Sequence, residues 1–140
     1  ARDSFKSIPQ NSSVLVLRSA RLWMIQIIIT AMNQYRKSNV DLLGQKAIVE
    51  ELESNSGIDR IYNYGDGFFS LETIEPHLME QLRSKAYEYV LLPMANNHLE
   101  GYRNVLDVAR IIEPKVILGV YPEGSVFVIK EKKEDPIAAV

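Results

Sequence analysis

Asn96, Asn97, His98 and Glu100 crowd into five positions of the stretch "LLPMANNHLEGYRNV", directly after an apolar run that stops at Pro93. Histidine titrates near neutrality, so His98 can act as a general base or donate a hydrogen bond to a substrate. It can equally be a solvated loop histidine. The carboxamides of Asn96 and Asn97 can hydrogen-bond a sugar or a phosphate, or cap the next helix and accept left-handed backbone angles. Glu100 can orient the His98 ring, or sit in the first turn of a helix, where a carboxylate meets the positive end of the dipole. Arg18 and Ser19 close another apolar run. Arg18 suits an anion, or a carboxylate such as Asp66. Asp66 lies between Gly65 and Gly67, either as a second acid or as part of a tight turn. His98 and Asp66 are thus the catalytic candidates. Arg18, Ser19, Asn96, Asn97, His98 and Glu100 are the substrate-binding candidates. His77, beside Pro76, reads as a helix-surface residue.

The elements that must position these residues follow from hydrophobic periodicity. "SVLVLRS", Ser13–Ser19, is a continuous β-branched and leucine run, as in a strand buried on both faces. A long helix follows, with Leu22, Ile25, Ile28, Ile29 and Met32 at helical spacing and Trp23 and Ile27 widening the stripe. Val40–Gln45 is a second strand. "KAIVEELESNSG" is an amphipathic helix with Asn55-Ser56-Gly57 as a C-cap signal. Ile58–Gly67 is a third strand running into the Gly-Asp-Gly turn. A helix follows, with Ser70 as candidate N-cap, or with its start at Pro76, where proline is tolerated. Tyr87–Pro93 is a fourth strand, "GYRNVLDVARIIEP" a helix, and Lys115–Pro122 a fifth strand. "SVFVIKEK" is a sixth strand, antiparallel to the fifth.

Strands alternating with helices predict a three-layer α/β/α sandwich: a doubly wound, mostly parallel sheet of five strands with a sixth antiparallel edge strand, Rossmann-like or flavodoxin-like. Residues 1–12 read as an N-terminal arm, 13–130 as one domain and 131–140 as a tail. In such sheets the ligand crevice lies at the carboxyl ends of the strands, near the switch point, where strand one neighbours strand four or strand three. That nominates four exits: Arg18-Ser19, Tyr64–Gly67, Asn96–Glu100 and Tyr121–Glu123.

Composition narrows the function. The 140 residues are 46% apolar and 24% charged, with a net charge of −2. No global field favours nucleic acid. The chain has no cysteine, which removes thiolate metal sites and a cysteine nucleophile and fits a reducing, cytoplasmic setting. The most apolar segment, Leu22–Met32, is too short to span a bilayer, and no leader pattern precedes it, so no integral membrane segment is expected. The first strand–helix junction, "VLRSARLW", lacks the glycines of a dinucleotide fingerprint, and no Walker A motif or metal-ligand spacing is present. No cofactor and no metal are therefore expected.

"SVLVLRS", "VDLLGQ", "NSGIDRIYNYG" and "LRSKAYEYVLLP", in that order, resemble the amino-terminal, acceptor-side half of GT-B glycosyltransferases of the lipopolysaccharide heptosyltransferase type. Asn55–Ile61 matches that family's third-strand stretch, Leu82–Leu92 its fourth, and Gly101–Val120 the following helix and strand. The resemblance implies a sugar or phosphosugar ligand and a nucleotide-sugar donor held by a second, carboxy-terminal domain. It also implies an aspartate base in a Ser-x-Gly-Asp turn after the first strand. Here that stretch is Ser19-Ala20-Arg21-Leu22, so the base does not carry over, and no turnover is expected of this chain alone. The alternative is a non-enzymatic flavodoxin-like binding or oligomerisation module, a homodimer for example, using the apolar first helix. A third reading is a small hydrolase or isomerase built on His98 with Glu100 or Asp66.

Overall fold

The computed structural model describes residues 8–9, 12–17, 22–36, 40–65, 69–94, 103–121, 123 and 125–131. Six strands and four helices alternate along them: β1 (Val14–Leu17), α1 (Leu22–Arg36), β2 (Val40–Gly44), α2 (Lys46–Leu52), β3 (Ile58–Asn63), α3 (Pro76–Ser84), β4 (Tyr89–Pro93), α4 (Arg103–Ile112), β5 (Val116–Val120) and β6 (Val126–Glu131). The sheet order is β3-β2-β1-β4-β5-β6. β1 to β5 are parallel and β6 runs antiparallel to β5. The chain is therefore a Rossmann-like α/β fold with its switch point between β1 and β4, the first of the two neighbours expected.

All four residues of β1 are buried, because both faces of the central strand are covered. Val14 and Val16 join Ile25, Ile28, Ile29 and Met32 of α1 and Ile48 and Leu52 of α2 in one core layer. Leu15 and Leu17 join Met79 and Leu82 of α3 and Val105, Leu106, Val108, Ala109 and Ile112 of α4 in the other. The two layers follow from right-handed crossovers run outward from β1 in opposite directions. Ile8, in the polar arm, is completely buried in the α1–α2 layer. Trp23 and Ile27, one turn apart on α1, remain 47% and 42% exposed.

Two capping expectations are corrected. Ser70 does not cap α3. Its carbonyl accepts the amides of Thr73 and Ile74 in a separate turn, and the helix begins at Pro76, where the absent N–H would have had no helical partner. Gly57 does not end α2, which stops at Leu52 with Glu53 as C-cap in right-handed backbone. Gly57 is needed for closeness instead: a Cβ there would lie 2.6 Å from Asn33 Nδ2 and 2.7 Å from Ile29 Cγ2 of α1.

Candidate functional site

The carboxyl edge of the sheet is defined by the ends of its strands. β1 and β4 are hydrogen-bonded neighbours, with Val14 opposite Tyr89 and Val16 opposite Leu91, so they end side by side at the switch point. The Met94 amide donates to the Val120 carbonyl and ties the end of β4 to that of β5. At the β3 exit, Gly65 takes φ of +94°, a conformation glycine adopts without strain, and its amide donates to Asn63 Oδ1. Its carbonyl accepts the Lys46 amide at the start of α2. Gly65, the first residue of the Gly-Asp-Gly stretch, is thus tied both to the end of β3 and to the start of α2. Tyr64 buries its ring edge-to-face against Phe69, with centroids 5.3 Å apart. At the β5 exit Tyr121 stacks on Phe127 at 4.8 Å, and Ser125 Oγ donates to Glu123 Oε1 at 2.5 Å.

Arg18, Ser19, Asp66, Asn96, Asn97, His98 and Glu100 lie outside the described residues. What the described strands supply is the departure points. Arg18 and Ser19 follow β1, and the Asn96–Glu100 cluster follows β4, its immediate neighbour. Asp66 follows β3, two strands away from β1 on the other side. His77 lies on α3 and is exposed, as read.

Sequence reading missed a polar cluster at the opposite, amino edge. A cleft of about 440 Å³ opens there between the starts of β1, β2 and β3 and the lead-in to β4. Its wall includes Ser12, Ser13, Asp41, Asp59, Arg60, Lys85 and Tyr87. The Tyr87 hydroxyl donates to Asp41 Oδ2 and lies 3.4 Å from the Tyr62 hydroxyl. Because β1 stands between β2 and β4, this bond reaches past β1 to tie β2 to the segment leading into β4. Burial, then the hydrogen bonds to Asp41 and Tyr62, push the Tyr87 hydroxyl well above the ordinary tyrosine range. Arg60 is held firmly charged, first by the Tyr62 hydroxyl and then by the field of Asp41. Ser13 and Glu88 close the β1–β4 side reciprocally: Glu88 N donates to Ser13 Oγ at 3.0 Å, and Ser13 N to Glu88 Oε1 at 3.4 Å. The signal was visible in "VDLLG" and "AYEYV" as polar residues opening buried strands. Their convergence depends on strand order, which periodicity does not specify.

No protein-family model matches the chain, and no curated protein does. Among solved structures, the crystal structure of the glycosyl transferase family 9 from Veillonella parvula DSM 2008 is similar, with a TM-score of 0.61 and 12% sequence identity. The match covers 80% of this chain and 32% of that one, so the chain spans about a third of that structure's length. At this identity the likeness is one of fold: the chain has a glycosyltransferase-like α/β fold. Among the described residues, no helix is long and apolar enough to cross a membrane.

Proposed function

We propose that this chain is the acceptor-side domain of a glycosyltransferase-like protein of the heptosyltransferase type, binding a sugar or phosphosugar and lacking turnover by itself. The observation that carries the reading is the superposition of four-fifths of the chain on about a third of a glycosyl transferase family 9 structure. The β1–β4 switch point supports it, because crevices of doubly wound sheets form there. In this reading Arg18 and Ser19 meet the anionic part of the ligand, while Asn96, Asn97, His98 and Glu100 meet its hydroxyls. Asp66 or His98 would be the acid or base available to a completed enzyme. Ser19-Ala20-Arg21-Leu22 offers no carboxylate where the family carries its base, which is why the chain alone is inert.

Thermal unfolding in the presence of nucleotide sugars, phosphosugars and free nucleotides tests it. A ligand that binds only the native state raises the melting temperature once it exceeds its dissociation constant. The expected result is a rise with a phosphosugar that Arg18→Ala and His98→Ala each remove. A flat response across the panel overturns the proposal and favours the binding-module alternative, for which the exposed Trp23 and Ile27 of α1 are the supporting feature.

A further inference from the structure

A helix that covers a sheet needs apolar residues on one side only. α1 has them on both. Ile25, Ile28, Ile29 and Met32 are buried in the core layer beneath it. Trp23 and Ile27 stand on the other side and stay exposed. Trp23, Ile27, Thr30 and Gln34 are all exposed and follow one another at steps of four, three and four residues. At about 3.6 residues per turn, such steps draw one line along the outward face, as in the seam of two packed helices. The same face is free of charge: among the described side chains of α1, the exposed ones are Trp23, Gln26, Ile27, Thr30 and Gln34. The other helices expose charged residues, Glu50 and Glu51 on α2, Glu80 and Arg83 on α3, Arg103 and Arg110 on α4. Beside Ile27 the apolar surface continues into a shallow groove, where Met24, Ile27 and Ile28 meet Val120 and Tyr121 at the end of β5.

From this face we infer that α1 is the surface on which a second copy of this chain docks, in a two-fold dimer whose α1 helices pack along the line from Trp23 to Gln34. Symmetry selects the occupant. In a two-fold contact a surface meets itself, so a charge near the axis meets its own copy. Like charges so placed repel, and self-association therefore favours a face without charge. An unlike partner imposes no such condition and gains specificity from a charge pair at the contact. Trp23 and Ile27 supply the apolar area, tryptophan being enriched where interfaces hold most of their energy. Thr30 and Gln34 place hydrogen-bonding groups in the seam, which fix its register at a cost in strength. The line is about 17 Å long at a rise of about 1.5 Å per residue. A contact of that length falls short of the roughly 800 Å² per partner of a standard interface, so the dimer is a weak one. It does not depend on the proposed sugar crevice.

Trp23 is the single tryptophan of the chain, so its fluorescence reports on this face alone. The test is sedimentation equilibrium of the whole chain from about 10 μM to about 1 mM, with tryptophan emission read over the same range. A monomer–dimer equilibrium is expected, with Trp23 emission moving to the blue at the same midpoint as water leaves the ring. Ile27→Glu and Ile27→Lys alter an exposed side chain. Each should weaken the dimer by about tenfold or more through like-charge repulsion, with circular dichroism unchanged, and mixing the two variants in equal amounts should restore association. A chain that stays monomeric to about 1 mM overturns the inference and leaves the face to an unlike partner. A dimer whose Trp23 emission does not move overturns it as well, and so does one that Ile27→Glu leaves at full strength.

Discussion

Tyr87 shows how much one hydroxyl can be asked to do. Its bond to Asp41 crosses over β1 and fixes the lead-in of β4 against β2. Tyr87→Phe keeps the ring and loses the bond, and chemical denaturation should record a loss of about 1–2 kcal/mol, since a hydrogen bond to a charged acceptor is worth somewhat more than a neutral one. Alkali provides a second reading. The folded chain holds the Tyr87 proton above the ordinary tyrosine value, so its stabilisation is complete below about pH 10, where both folded and unfolded chains keep the proton. Above that pH the unfolded chain releases it first, and stability falls by about 1.4 kcal/mol per pH unit from this group. That component of the slope should vanish in Tyr87→Phe. Gly119 matters through space rather than backbone angle. A Cβ there would lie 2.3 Å from Cε1 and Cζ of Phe127, the ring that stacks on Tyr121. Gly119→Ala is expected to lower the urea midpoint by the equivalent of about 1–3 kcal/mol through overpacking, and trimming the ring with Phe127→Leu should recover part of it.

Among the elements, the two junctions from α3 to β4 and from α4 to β5 share a device. Ala86 and Glu113 both take left-handed backbone just past the helix end, at φ of +53° and +57°, and their amides donate to Arg83 and Arg110 carbonyls. This is the position at which glycine usually ends a helix, because a Cβ is strained there. Arg83 also bridges to Glu113 at 3.6 Å, linking the two junctions on an exposed surface where such a pair adds little. Ala86→Gly should therefore stabilise the fold, by about 0.5–1 kcal/mol net of the extra freedom glycine gives the unfolded chain. Thermal unfolding of that single variant decides it: a loss of stability would mean that the Ala86 methyl makes contacts outweighing its strain. Neither junction was legible as a cap, since sequence rules look for glycine or asparagine there. The same rules misassigned Gly57, whose need for a small side chain comes from α1 lying against it.

At the scale of the whole molecule, the alternation of apolar runs with helical stripes determined the fold class, the number of strands and the antiparallel direction of the sixth. Each of these is a local consequence of periodicity, of burial on one face or two, and of crossover handedness. The candidate ligand residues were nominated in the same way, as polar clusters that follow apolar strands, and they lie outside the described residues. Which strand neighbours β1 was left open by the sequence reading, because periodicity gives the faces of a strand and not its place in the sheet. The tertiary structure decided that in favour of β4, and so decided that the Arg18 and His98 loops leave adjacent strands. Only tertiary structure could assemble Asp41, Asp59, Arg60, Lys85 and Tyr87 into one cleft. Their positions along the chain are set by covalent order, whereas their meeting depends on sheet order and on a bulge that follows from the register between two strands.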